Sequence, residues 1–410
     1  MGKSQNIVRI LLRAIGELSP VQRTELSARL ICAALIAGKL MSWKLWLNSR
    51  SYPLSPVWPG SAAIPYPADY TIACATLLSI GLFGLFPRKT LFLWLYLGLE
   101  LLNLLQDQNR WQSWLYEYLL LLLPLLWLKP NIPDSQALRI LRLQAFVLAA
   151  TYLFSGIQKI NPVFLPVVWQ NILHRLFFVK TADMASWLPY GYAIPAIEIA
   201  GALLLAFKNT RTAGLVIMLL MHLFILFYLM PSGINYNSIV WPWNFALILI
   251  NVIVLYKSRF SFWHNYRKGS ADSLFPLYTV LLLLLPVLSL YNLYDLELSA
   301  SLFTGKFRNL VVFIKPEALP KIPPKLKQHV CSYKYLVDNY RYEPGPDARV
   351  ISMQVWAMDE MNVSPLSETR IYQGVVNEYC RLGLKPDEIT FMLYASGKQA
   401  QRVESMHCTE

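Results

Sequence analysis

Nine stretches of this chain are each about long and apolar enough to cross a bilayer, and that pattern limits its fold more than any other feature. A crossing helix needs ~20 mostly apolar residues, because the hydrocarbon core is ~30 Å thick and a helix rises ~1.5 Å per residue. The stretches are 26–46, 69–86, 90–106, 113–128, 138–157, 189–207, 212–230, 240–257 and 274–292. Backbone amides cannot stay unbonded in lipid, so each stretch reads as a helix and the whole as an all-α polytopic bundle.

The apolar blocks stop near Leu290, and the remainder has ordinary polarity. The reading is therefore a cytoplasmic segment at 1–25, a transmembrane domain at 26–294 and a small soluble domain at 295–410. In that last part Asn309 to Ile314, Val350 to Trp356 and Ile389 to Tyr394 read as strands. Ser367 to Leu382 reads as a helix with Ser367 at its N-cap, which makes the domain α+β. Ile7 to Leu18 fits a short amphipathic helix on the membrane surface or a solvated leader. No cleavable signal sequence is expected, because Leu26 opens a retained span with no small-residue cleavage site after it.

Charge sets the orientation. The formal net charge is +13, but basic residues come in short clusters between apolar runs rather than in a stripe with exposed aromatics. Nucleic acid is not the expected partner; anionic lipid headgroups are. With the N-terminus in the cytoplasm, the cytoplasmic segments carry Lys3, Arg9, Arg13, Arg23, Arg88, Lys89, Lys129, Arg139, Arg142, Lys208, Arg211, Lys257, Arg259, Arg267 and Lys268. The opposite loops carry fewer, as the positive-inside rule requires. An odd number of spans then makes the C-terminal domain extracytoplasmic. There two of Cys331, Cys380 and Cys408 are free to pair. The first span is the least secure, since Arg29 and Lys39 fall inside it. The apolar loop from Gly156 to Pro189 is expected to be re-entrant or interfacial, packed over the bundle mouth.

Ionisable groups within spans are costly, so each is a site hypothesis. Gln106 to Gln112 places Asp107, Arg110 and Trp111 between two spans, either as a substrate-binding rim or as an interfacial loop closed by an Asp107–Arg110 pair. Ser155-Gly156-Ile157-Gln158-Lys159 ends the fifth span, where the lysine either acts or snorkels. Glu198 lies in the sixth span and needs a partner, with Lys159 or His222 the candidates. His222 lies in the seventh and is followed by Asn237 and Trp241; it either relays protons or bridges helices. No P-loop, dinucleotide-binding glycine pattern, HExxH or GxSxG occurs, and no metal site is expected.

Taken in order, Asp107 to Tyr118, Tyr152-Leu153-Phe154-Ser155-Gly156-Ile157-Gln158-Lys159, Ile197-Glu198-Ile199-Ala200-Gly201, and Met221-His222 with Trp241-Pro242-Trp243 resemble one family. It is the horizontally transferred transmembrane domain (HTTM) superfamily, related to the membrane region of vitamin K-dependent γ-glutamyl carboxylase. The resemblance covers roughly 26–295. It implies a bacterial inner-membrane protein with a quinone or quinol as its lipid cofactor. It implies that Lys159 is the base, with Glu198 and His222 relaying protons. Asp107, Arg110, Trp111, Gln158, Asn237 and Trp241 would then contact substrate. The chain departs from the carboxylase in having Gln158-Lys159 where that enzyme pairs two lysines, Phe164 near the position of a tryptophan, and a small domain in place of the large lumenal region. Carboxylation of proteins is accordingly not implied. The competing expectations are a non-catalytic membrane anchor or docking module for envelope partners, and a transporter. The latter is disfavoured by the absence of inverted halves with matching broken spans.

Overall fold

The computed structural model describes residues 2–58, 64–258, 260–262, 270–332, 347, 349–395 and 403–408; Arg259, Arg267 and Lys268 lie outside them. It is mostly helical, with a small antiparallel sheet near the C-terminus. Five helical stretches are long and apolar enough to cross a membrane: Ala68–Leu85, Asp134–Lys159, Thr181–Ala206, Arg211–Leu229 and Ala271–Ser289. Shorter apolar helices cover Leu91–Gln106, Ser113–Trp127 and Val240–Leu255. These features mark a helical membrane protein.

In chain order, α1 is Gly2–Glu17, α2 Pro20–Met41, α3 Ala68–Leu85, α4 Leu91–Gln106, α5 Ser113–Leu122 and α6 Asp134–Lys159. Then follow the short α7 (Gln170–Leu176) and α8 (Met184–Trp187), and the longer α9 (Ala193–Ala206), α10 (Arg211–Leu229) and α11 (Val240–Leu255). The last apolar stretch is α12 (Phe275–Thr279) and α13 (Leu285–Ser289), joined through a wider π turn at Val280–Leu284.

Helix α2 falls outside the five because of its charges, yet it packs centrally against α3, α5, α6 and α11. It starts sharply. Ser19 and Gln22 form a reciprocal capping box and Pro20 occupies the first turn, where its missing N–H costs nothing. Its charged side chains are satisfied inside the protein. Arg23 donates to the carbonyls of Tyr256 (2.7 Å) and Ile15 (2.9 Å). Lys39 pairs with Glu100 at 2.8 Å, both buried, and lies 3.1 Å from the centre of the Trp46 ring. The segment with the weakest hydropathy is thus held by polar contacts that hydropathy does not register.

The C-terminal domain is a five-stranded antiparallel sheet in the order β2-β3-β1-β4-β5. Its strands are β1 Arg308–Ile314, β2 Cys331–Ser332, β3 Arg349–Ser352, β4 Ile389–Ala395 and β5 Val403–Met406. Leu310, Val312 and Ile314 face a core shared with α15 (Met353–Met361) and α16 (Thr369–Cys380), while Val311, Phe313, Val350 and Tyr394 form a smaller cluster on the other face. The short helix α14 (Pro324–Lys327) precedes β2. Two local expectations are corrected. The strand expected over Val350 to Trp356 stops at Ser352, whose hydroxyl accepts from the Val355 amide and caps α15 instead. Ser367 is not the cap of α16, which begins at Thr369 after Glu368. A disulfide joins Cys380 to Cys408, with Cα atoms 6.1 Å apart.

This domain sits on one end of the bundle. The Glu360 carboxylate accepts from the amides of Ser51 (2.7 Å) and Tyr52 (2.9 Å). Gln112 donates to Ser364 O at 3.0 Å, and Ser238 to Asn362 Oδ1 at 3.0 Å. The opposite end holds a cluster of arginines. Arg139 and Arg142 both clasp Asp272, and Arg211 donates to Leu205 O (2.9 Å) and Ser258 Oγ (3.0 Å).

Candidate functional site

The site begins with a close approach of two helices. Gly156 on α6 lies so near α9 that an added Cβ would stand 2.7 Å from Ile199 Cγ1 and 3.0 Å from Pro195 O. Only glycine permits that spacing. It brings Lys159, one turn further along α6, to Glu198 of α9, with Nζ to Oε2 at 2.8 Å. Of the two partners that the sequence leaves open for Glu198, the structure selects the lysine. Both groups are buried, at 6% and 2% exposure, which excludes a lysine that snorkels to water. Lys159 also donates to Ser155 Oγ (2.7 Å) and Ser155 O (3.2 Å), and the Ser155 hydroxyl donates to Glu198 Oε2 (3.2 Å).

Lys159, Ser155 and Glu198 line an apolar cavity whose other walls include Phe154, Ile194, Phe224, Leu247 and Leu282. It encloses about 130 Å³ of free space, far beyond the ~10–15 Å³ that one water needs. His222 lines the same cavity, so residues 159 and 222 share one pocket. Both of its ring nitrogens are hydrogen-bonded. Asn244 Nδ2 is committed to Val240 O (2.8 Å), so Asn244 Oδ1 accepts from His222 Nδ1 at 2.9 Å. His222 Nε2 meets the Tyr152 hydroxyl at 2.8 Å, and that oxygen accepts from Asn251 Nδ2. The imidazole is thus held at both ends, and Tyr152 is held against the cavity wall.

The segment after Lys159 closes the cavity. Asn161 Oδ1 accepts from the amides of Val163 (2.8 Å) and Phe164 (3.0 Å), which starts a π turn at Leu165–Trp169 and then α7. Phe164, Val168 and Ile172 from this segment face the cavity, and Asn171 accepts from Tyr228 of α10 at 2.8 Å. Phe178, Trp187 and Tyr190 point outward and are exposed. Asn161 also donates to Thr304 O at 3.1 Å, and Glu297, Leu298 and Phe303 complete the wall, so the linker to the C-terminal domain is part of the site. Glu297 is half-buried and accepts from the Ser113 hydroxyl. Burial pushes its carboxyl above the usual range.

The remaining expected residues lie elsewhere. Asp107 and Arg110 are fully buried outside the cavity. Asp107 accepts from Arg50 (2.5 Å), Ser55 N (3.0 Å) and Asn109 N (3.1 Å), while Arg110 donates to Leu45 O, Asn103 O and Asn48 Oδ1. Their mutual contact is a long 3.9 Å, and together they clamp three loops rather than face a ligand. Burial alone would raise the Asp107 carboxyl, but Arg50 and Arg110 outweigh it and hold that carboxyl below its ordinary value. Trp111 donates to Leu104 O at 3.0 Å. Gln158 lies behind the cavity, bound to Ser289 Oγ and reached by Lys306 Nζ at 3.4 Å. Asn237 and Trp241 are not in the cavity wall.

Sequence reasoning gave no site role to Glu117, Tyr152 or Trp243, and none to Ser155 as a bridging hydroxyl. Glu117 lies in the cavity wall, 3% exposed, and accepts from Trp243 Nε1 at 2.8 Å. Its signal was available: a carboxylate one turn inside an apolar run. Among the described residues no cluster of three or more His, Cys, Asp or Glu is placed to hold a metal. What the arrangement offers is a mostly apolar cavity with an amine, three carboxyls and three phenols on its walls, which suits proton transfer to or from a greasy ligand. Comparisons with family models, curated proteins and solved structures found no match to this chain.

Proposed function

We propose that the chain is a polytopic bacterial inner-membrane protein of HTTM type, whose cavity binds a quinone-like lipid and performs acid–base chemistry on it. The reading counts nine crossings: the five long apolar stretches, the three shorter helices and α2. A 16-residue helix such as α4 covers only ~24 Å, so the shorter spans imply local thinning of the bilayer. Two independent features support a cytoplasmic N-terminus and an extracytoplasmic sheet domain. Arg23, Arg88, Arg139, Arg142 and Arg211 gather at one end, as cytoplasmic loops require. The Cys380–Cys408 disulfide belongs to the domain at the other end, as an oxidising compartment requires.

The observation that carries the chemical reading is the Lys159–Glu198 contact inside an apolar cavity. Two charges held in low dielectric keep a large desolvation penalty. When a ligand hydroxyl enters, the ammonium proton passes to Glu198, 2.8 Å away, which leaves the amine free beside a carboxylic acid. The amine accepts a proton from a ligand hydroxyl, and Glu198 keeps the displaced one. Ser155 touches both groups and fixes their geometry. Phe164 and Val168 exclude water from above. A bound quinol would supply redox chemistry that no side chain here provides.

The test is lipid mass spectrometry on wild-type and Lys159→Met protein purified in native nanodiscs, followed by titration with a short-chain naphthoquinone. The expected result is a quinone retained by the wild type and saturable binding that the variant weakens. No quinone in the wild type and no saturable binding would overturn the reading.

A further inference from the structure

A second hollow borders the segment that closes the cavity. It is a cleft of about 740 Å³ between the end of the bundle and the sheet domain, a size suited to a ligand. Ile160 and Pro162, just past α6, and Leu290, just past α13, line its membrane side. Ile160 and Leu290 are exposed, and each follows a stretch able to cross the bilayer, Asp134–Lys159 or Ala271–Ser289. The cleft therefore opens where acyl chains give way to headgroups.

Its other walls are charged. Lys306 and Arg308 stand at the entry to β1, Glu368 and Arg370 at the start of α16, and Glu404 on the edge strand β5. Arg370 is committed to Asp295 through two contacts of 2.7 and 2.6 Å. The Lys306 ammonium reaches Gln158 Oε1 at 3.4 Å, and the Arg308 guanidinium reaches the Thr369 hydroxyl. Neither cation forms a salt bridge among the described residues. Glu404 stands opposite Leu393, which stands opposite Leu310, and Arg308 is two residues from Leu310 on the same face of β1. Arg308 and Glu404 are thus two strand spacings apart, ~10 Å between backbones. Their extended side chains narrow that gap to the length of a short dipole. Glu368 lies near Arg308, and its Oε1 accepts from Leu296 N at 3.2 Å.

We propose that this cleft seats the headgroup of a zwitterionic phospholipid of the ethanolamine type. The phosphate lies between Lys306 and Arg308, which suits two cations that carry no carboxylate of their own. The ammonium, two carbons further on, turns to Glu404 and Glu368. The acyl chains leave past Ile160 and Leu290 into the bilayer. Charge balance selects the headgroup: a glycerol lipid satisfies the cations but brings nothing to the two carboxylates. The apolar mouth selects a lipid over a soluble phosphate. The inference uses the membrane reading of the chain and not the quinone reading.

The experiment titrates delipidated full-length protein in detergent with three probes, read by native mass spectrometry. They are a short-chain phosphatidylethanolamine, a short-chain phosphatidylglycerol and soluble phosphoethanolamine. The wild type should bind one ethanolamine lipid saturably and prefer it to the glycerol lipid by about threefold, the scale of a half-exposed ion pair. Glu404→Gln, an exposed replacement, should bind both lipids equally. Lys306→Gln with Arg308→Gln should weaken both lipids by about tenfold or more, and Lys306→Arg should bind as the wild type does. Equal binding of the two lipids by the wild type, or an unchanged preference in Glu404→Gln, would overturn the inference. So would phosphoethanolamine that binds as tightly as its lipid, or undiminished binding by the double variant. Should the double variant fail to fold, the Glu404→Gln comparison decides alone. None of these results bears on the naphthoquinone titration, so the two readings fail separately.

Discussion

Replacing Lys159 by methionine removes a charge from the wall of the cavity and leaves Glu198 facing it with one donor, the Ser155 hydroxyl. Both partners are almost wholly buried, so each single replacement strands its opposite. Breaking a buried pair from one side costs about 3–5 kcal/mol. Glu198→Gln should fall at the lower end of that range, because Lys159 keeps two contacts to Ser155. The double variant Lys159→Met with Glu198→Gln strands nothing and should lose only ~1–2 kcal/mol. The coupling between the two sites is then ~4 kcal/mol or more, against ~0.6 kcal/mol for an average hydrogen bond between membrane helices. The assay is unfolding of the four proteins by sodium dodecyl sulfate in mixed micelles, compared through their midpoints and slopes. Two single variants that each cost less than ~1 kcal/mol and simply add would refute the argument, since that is the behaviour of an exposed pair.

Asp107→Asn keeps acceptors for the Ser55 and Asn109 amides but leaves Arg50 without its counter-charge, and should destabilise by ~3–5 kcal/mol in the same assay. The Asp107 carboxyl is held below its ordinary value in the folded protein. Its contribution to stability is therefore present above the ordinary aspartate range and is lost progressively as pH falls below about 4, so melting at pH 3 should separate wild type from Asp107→Asn less than melting at pH 6 does. Gly156→Val places carbon where Ile199 and the Pro195 carbonyl stand, and should part α6 from α9. Its expected signature is a lower midpoint together with loss of the Lys159–Glu198 coupling; a normal coupling in Gly156→Val would refute the role given to that glycine.

The membrane helices were legible because each has to hide its own backbone from lipid, which imposes a long apolar run whatever the neighbours are. The identity of the partner of Glu198 was half legible. An intramembrane carboxylate demands a partner, but Lys159 and His222 are equally available along the sequence, and only the approach at Gly156 decides between them. Asp107 and Arg110 illustrate a different limit. A charged turn between two spans looks the same whether it faces a ligand or clamps loops, because its partners Arg50, Ser55 and Leu45 lie more than fifty residues away. At Val350 to Trp356 the signal was present but misread. Met353, Trp356, Ala357 and Met361 recur at helical intervals, and their burial follows that period.

The way α2 is anchored has a bearing on how the chain is made. Lys39 finds its carboxylate 61 positions downstream, and Arg23 finds the carbonyls at the end of α11 more than 230 positions downstream. Before Glu100 has left the ribosome, Lys39 lacks its carboxylate and Arg23 lacks the carbonyls of Ile253 and Tyr256. The charges of α2 are best met in a sheltered aqueous place, such as the insertion machinery, until Val240–Leu255 has been translated. The bundle should consequently appear in one late step, and a ribosome stalled before residue 250 should leave the N-terminal segment open to alkaline extraction.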